Sequence, residues 1–241
     1  MVSMETAGHI DRLSEALASG RGVLVLGPAF SHGIEALDID AFVNRAGQDL
    51  PDRSGWDNVG TNDKFRLLIQ GMGRGSIAQL LANQTPTPKA LRSSVRDFHQ
   101  ALLNLPFSSV VDVTLNDLAQ STLDVTGQRV RLISRDQDIV TRPNELPGEK
   151  TIIKLRGDLW TEDPAFSTEQ LQKRMASNPG VQRLVSRLVH EGPVVFYGFS
   201  IIDPVFELFD RLFGPLPGTT IIGTRIDNSL WRQQCRSLGL H

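Results

Sequence analysis

Asn116 and Asp117 stand directly after a strand-like run, 107–115, in which Val110, Val111 and Val113 are β-branched. An amide and a carboxylate at the carboxyl end of a strand can orient a ligand hydroxyl or take its proton. Ligands of open α/β sheets sit at that edge. The same pair also suits a turn and a helix cap, the commonest work of these residue types. A second candidate follows the apolar run 23–26, which stops at Gly27 and opens into Pro28, Ala29, Phe30 and Ser31. A small-residue loop after a first strand can offer backbone N–H groups to a phosphate, although Pro28 supplies none. The competing reading is a strand and a tight turn without a ligand. The run 151–155 ends in Arg156-Gly157-Asp158. Arg156 stays protonated, so it can hold a phosphate or carboxylate but cannot act as a base; a surface or ion-paired role is its ordinary alternative. The run 193–197 ends in Gly198, followed by Ser200 and Asp203, small polar groups that equally suit capping of a helix beginning at Pro204.

The elements that must position these loops alternate between strand and helix. Helical spacing is expected over 9–19, over 64–81 in two pieces broken by Gly71, Gly73 and Gly75, and over 89–105 as one helix ended by Pro106. Further helices are expected over 118–125, 169–176 with Thr168 as cap, 181–190, 205–213 and 229–237. Strands are expected at 23–26, 107–115, 130–134, 151–155, 193–197 and 219–223, with 135–150 a loop. This alternation predicts an α/β fold: a mostly parallel sheet with helices on both faces. The stretch 36–90 reads as a helical insert or lid within a single domain of 1–241. His32 and His99 are expected to be packed or solvated, His99 in a helix away from the strand ends.

Bulk composition narrows the partners. The chain has 241 residues, 40% hydrophobic and 22% charged, with a net charge of -2, which gives no polyanion-binding signal. Nucleic acid and membrane are therefore not expected partners. No apolar run approaches a membrane span, and the first residues lack a signal-peptide pattern. The one cysteine, Cys235, excludes an internal disulfide and a cysteine-rich zinc site. A cytoplasmic location is the default expectation.

The four strand ends, in order, are Gly27-Pro-Ala-Phe-Ser31, Thr114-Leu-Asn-Asp117, Lys154-Leu-Arg-Gly-Asp158 and Gly198-Phe-Ser-Ile-Ile-Asp203. Together with His99 ahead of Leu-Pro-Phe107, they resemble the SIR2-like family, the sirtuin-related domains of bacterial NAD-consuming defence proteins. The resemblance spans about residues 20–213. It implies a Rossmann-like sheet with a helical subdomain and NAD across the strand ends. Gly27, Ala29, Phe30 and Ser31 would hold the pyrophosphate. Asn116 and Asp117 would face the nicotinamide ribose, and Gly198, Ser200 and Asp203 would lie toward the adenosine. The family reaction cleaves the bond between nicotinamide and ribose through an oxocarbenium-like state. The chain departs from the family pattern at Pro28 and Ala29, at the aromatic missing between Asn116 and Asp117, and above all at Arg156, where the family has histidine.

Three functions follow from that resemblance. The first is a degenerate SIR2-like domain with weak or lost NAD cleavage, serving as a nucleotide sensor, an assembly module, with itself or with other domains, or a partner-binding domain in bacterial defence. The alternative is an active NAD glycohydrolase effector, within a larger protein of which this chain would be an excised domain. Protein deacylation ranks last, because the four-cysteine zinc module of true sirtuins cannot be built from one cysteine.

Overall fold

The computed structural model describes residues 11, 14, 17, 18, 20, 22–31, 34, 39–50, 52–141, 148–157, 159, 164–199, 205–214 and 221–223. Six strands form one sheet among them: β1 Val23–Leu26, β2 Ser109–Asp112, β3 Arg129–Ile133, β4 Glu149–Lys154, β5 Val194–Tyr197 and β6 Ile221–Gly223. Their spatial order is β3-β4-β2-β1-β5-β6, and every pairing is parallel. The expected sheet is thus observed. A parallel sheet is covered on both faces by its crossover helices, which is why β1 reads as an unbroken Val-Leu-Val-Leu run buried throughout.

Alternate side chains of those strands feed two cores. Val23, Val25, Val111, Ile133 and Ile153 point to the side covered by α8 Thr168–Ala176, α9 Pro179–Glu191 and α10 Val205–Phe213. Leu24, Leu26, Val110, Ile152 and Val195 point to the other side, where α6 Leu118–Val125 and α5 Asp97–Asn104 lie. The helices thus flank both faces, as the strand–helix alternation predicts.

Between β1 and β2 run α1 Ile39–Ala46, α2 Thr61–Met72, α3 Arg74–Gln84 and the short α4 Pro88–Leu91. α1 to α3 have a third core of their own, built on Phe42, Trp56, Phe65, Leu68 and Ile77. This core is completed by Leu115, Leu159 and Phe166, which follow the ends of β2 and β4. Phe65 stacks on Phe166 with centroids 5.4 Å apart and planes at 15°. The helical layer therefore sits over the carboxyl ends of β2 and β4. Among the described residues no helix is long and apolar enough to cross a membrane.

Three sequence expectations are corrected. The helix expected over 89–105 is broken: α4 passes into a 3-10 turn at Arg92–Ser94, and α5 begins after Arg96. There the His99 ring accepts the Arg96 N–H at 3.0 Å, so a side chain takes the donor that a continuous helix would have used. The loop expected over 135–150 contains α7 Asp136–Thr141. Asp138 starts that helix by accepting the N–H groups of Ser134 and Arg135 at 2.8 and 2.9 Å, a local capping geometry hidden in a polar stretch. The cap of α8 is Ser167 rather than Thr168, in a reciprocal capping box with Gln170. The expected helix at 9–19 is described only at residues 11, 14, 17 and 18, all helical, and the one at 229–237 lies outside the described residues.

Asp136 also serves α9. Its two carboxylate oxygens accept the N–H groups of Gly180 and Val181 at 2.9 and 2.8 Å, in the first turn of that helix. A charge at a helix N-terminus joins two elements that are distant in sequence. Replacing Asp136→Ala is expected to lower the free energy of unfolding by about 2 kcal/mol, the loss of a charged cap, measured by urea unfolding.

Candidate functional site

β1 occupies the switch point of the sheet, with β2 on one side and β5 on the other. An open α/β sheet takes its ligand in the crevice at such a point. Here the chain leaves β1 through Gly27 into a 3-10 turn, Pro28–Ser31. The Gly27 N–H donates to the Tyr197 carbonyl at 2.8 Å, the Ala29 N–H to the Gly198 carbonyl at 2.9 Å, and the Phe30 N–H to the Gly27 carbonyl at 3.0 Å. Pro28 has no N–H. From Gly27 to Phe30 every backbone donor is already engaged.

Two glycines permit this closure. A Cβ on Gly27 would lie 2.7 Å from the Gly198 oxygen and 2.7 Å from the Phe199 ring. Gly198 has φ +84°, and a Cβ there would lie 2.7 Å from the Phe30 nitrogen. The β1 and β5 loops are thus pressed together by contacts that only glycine allows. Of the residues expected at the adenosine end, Gly198 is in this contact, while Ser200 and Asp203 lie outside the described residues.

The polar groups gather on the other side, where the ends of β1, β2 and β4 meet. The Asn116 amide donates to the Ser31 hydroxyl at 2.8 Å. Its Oδ1 accepts the Leu118 N–H at 3.0 Å, turning the chain into α6. The Asn116 main-chain oxygen accepts from the Lys154 ammonium at 2.9 Å and from the Thr114 hydroxyl at 3.3 Å. The same ammonium is ion-paired with the Asp117 carboxylate. Ser31, Asn116, Asp117 and Lys154 are all buried, Lys154 to 1% exposure. Asp112 lies beside Lys154 in the β2–β4 register and accepts the Thr114 N–H at 2.8 Å.

His99 belongs to this region, contrary to the expectation that it lies away from the strand ends. Its Nδ1 accepts the Arg96 N–H, so the ring hydrogen is on Nε2, which donates to the Phe30 carbonyl at 3.0 Å. Burial lowers its pKa, against the opposing bond to Phe30. The ring stands edge-on to Phe30, 4.9 Å between centroids. A neutral imidazole with both nitrogens in use fixes the β1 loop.

Arg156 follows β4 and turns to the segment before α8. Its Nη1 donates to the carbonyls of Ala165 and Phe166 at 3.0 and 2.9 Å, and the Ala165 N–H returns to the Arg156 carbonyl at 2.8 Å. The guanidinium thereby anchors Phe166, the residue that stacks in the helical core.

Of the residues singled out in the sequence, the structure brings Ser31, Asn116 and Asp117 into one cluster, places Gly27, Ala29 and Phe30 against Gly198 and its strand, and directs Arg156 to a backbone loop. Lys154, Asp112 and Thr114 were not singled out as site residues. A signal existed: Lys154 closes the otherwise buried run Thr-Ile-Ile, and Asp112 stands inside Val-Val-Asp-Val. A charge in such a run implies a buried partner.

Residues 108–211 match the model of the SIR2-like domain. No curated protein matches the chain. The SIR2-like match covers β2 through most of α10, and so includes Asn116, Asp117, Lys154, Arg156 and Gly198; the β1 loop and the helical layer precede it. The resemblance read from the strand ends holds for that segment, and the parallel sheet flanked by helices is consistent with a Rossmann-like SIR2-like fold. SIR2-like domains are associated with NAD.

Burial pushes the Asp112 carboxyl up to about 6, outweighing Lys154 and the Thr114 hydrogen bonds, with the Asp117 charge adding to the rise. A carboxyl raised from 3.8 binds its proton more tightly in the folded chain, so its contribution is full below pH 4 and is lost as pH rises through 6. Asp112→Asn keeps an acceptor for Thr114 and removes the titration. At pH 8 the variant is expected to be about 2 kcal/mol more stable than the wild type, with the gap closing toward pH 4, as read by urea unfolding across that range.

Proposed function

We propose that this chain is a degenerate SIR2-like domain that has weak or no NAD cleavage and works by binding, as a nucleotide sensor or as an assembly or partner module in bacterial defence. The observation that carries this reading is Arg156. It stands where the family resemblance expects histidine, cannot accept a proton near neutral pH, and is committed to the carbonyls of Ala165 and Phe166. Two further observations support it. The backbone donors from Gly27 to Phe30 that a pyrophosphate would need are already spent. Asp117, a candidate base, is held by the Lys154 ammonium, which occupies the carboxylate oxygen that would accept a substrate proton.

The alternative, an active NAD glycohydrolase, draws on one observation: the Ser31–Asn116 bond keeps an amide and a hydroxyl together at the strand ends. In that reading Asn116 and Ser31 would face the ribose, and NAD would be substrate rather than bound signal.

Purified protein incubated with NAD and followed by chromatography separates the two. The expected outcome is no release of nicotinamide by the wild type. Arg156→His is expected to release none either, and to lose about 2 kcal/mol of stability with its hydrogen bonds to the loop. Nicotinamide release by the wild type would sink the proposal; abolition of that release in Asn116→Ala would then establish the hydrolase reading.

A further inference from the structure

The Lys154 ammonium is 1% exposed and holds two different groups of one loop, the Asn116 main-chain oxygen and the Asp117 carboxylate. Asn116 in turn aims its side-chain amide at Ser31. We propose that Lys154 is the positioning residue of this site: it fixes Asn116 through its backbone, with Asp117 as its counter-ion rather than as a reacting group. The proposal rests on reading Asn116 as the ligand-facing group.

Energetics argue for a positional role. A buried ion pair is weak evidence of stabilisation, because desolvation of both charges offsets their attraction, and apolar residues of similar size commonly replace such pairs without loss. What apolar residues cannot replace is a donor directed at one chosen carbonyl. An ammonium has three directed hydrogens and no acceptor. Here one goes to the Asn116 oxygen and another to Asp117. The Thr114 hydroxyl reaches the same Asn116 oxygen at 3.3 Å, and Asp112 anchors the Thr114 N–H at 2.8 Å. The loop 114–117 is therefore gripped at both ends, at the Thr114 N–H from β2 and at the Asn116 oxygen from β4. The pairing Asp112↔Lys154 in the sheet register sets where that grip falls.

The test uses a background of Asp112→Asn, into which Lys154→Met and Asp117→Leu are introduced together, so that no charge of the cluster stays buried and unpaired. The readout is hydrogen exchange of the Asn116 side-chain amide by NMR, its signal assigned by loss in Asn116→Asp. In the background that amide is expected to be resolved and protected. In the folded variant its exchange should rise about fivefold or more, the equivalent of one lost hydrogen bond. Unchanged exchange in a folded variant overturns the proposal. If the variant does not fold, the wild type decides: a slowly exchanging Lys154 ammonium signal, absent in Lys154→Arg, is expected, and a Lys154 ammonium in fast exchange with water overturns the proposal. Calorimetry of the background with ADP-ribose tests the functional reading separately. No binding there would refute a nucleotide site, while the role of Lys154 would still be decided by exchange of the amide.

Discussion

A lysine ammonium closed off from water must find all its acceptors in protein. At Lys154 that requirement ties together the end of β4, the loop after β2 and, through Asn116, the turn after β1. The parallel sheet makes the meeting unavoidable. β1, β2 and β4 are neighbours in the order of strands, so their carboxyl ends open side by side. Asp112 and Lys154, both buried in this sheet, take their partners from the loop after β2: Asp112 accepts the Thr114 N–H, and Lys154 holds the Asn116 oxygen and Asp117.

The two sides of β1 have different characters. Toward β5 the loops meet main chain to main chain, glycine against glycine, with Phe199 beneath. Toward β2 they meet through side chains, and the contact is polar and charged. Here the first side satisfies itself, and the second is occupied by internal partners. Arg156, where the resemblance expects histidine, donates to the Ala165 and Phe166 carbonyls and so braces the helical layer.

Much of the architecture was legible in the sequence. Val23 to Leu26 was readable because an unbroken apolar run bounded by glycines has few other uses, and the order of four strand ends carried the family resemblance. Asn116 and Asp117 were readable as a polar pair after a buried strand. What the sequence could not show is partnership across distance. Lys154 stands out in the sequence as a charge closing an apolar run, but which groups it holds appears only when β4 is laid beside β2. His99 reads as a helical residue until its ring is found under Phe30. The broken helix before α5 and the extra helix after β3 depended on side chains taking backbone donors, a choice that periodicity does not record.

The loop after β2 alternates its allegiance residue by residue. Thr114 and Asn116 join the charge cluster below, while Leu115, between them, is part of the apolar core of α1 to α3 above. A single stretch of backbone is thus shared by two packing systems, one polar and one apolar. Phe166 repeats the pattern, its carbonyl held by Arg156 and its ring stacked on Phe65. The helices are stitched to the strand ends rather than resting on them. Lifting that layer away would drag the polar loop with it, and any partner that grasped the helices would be pulling on the same thread.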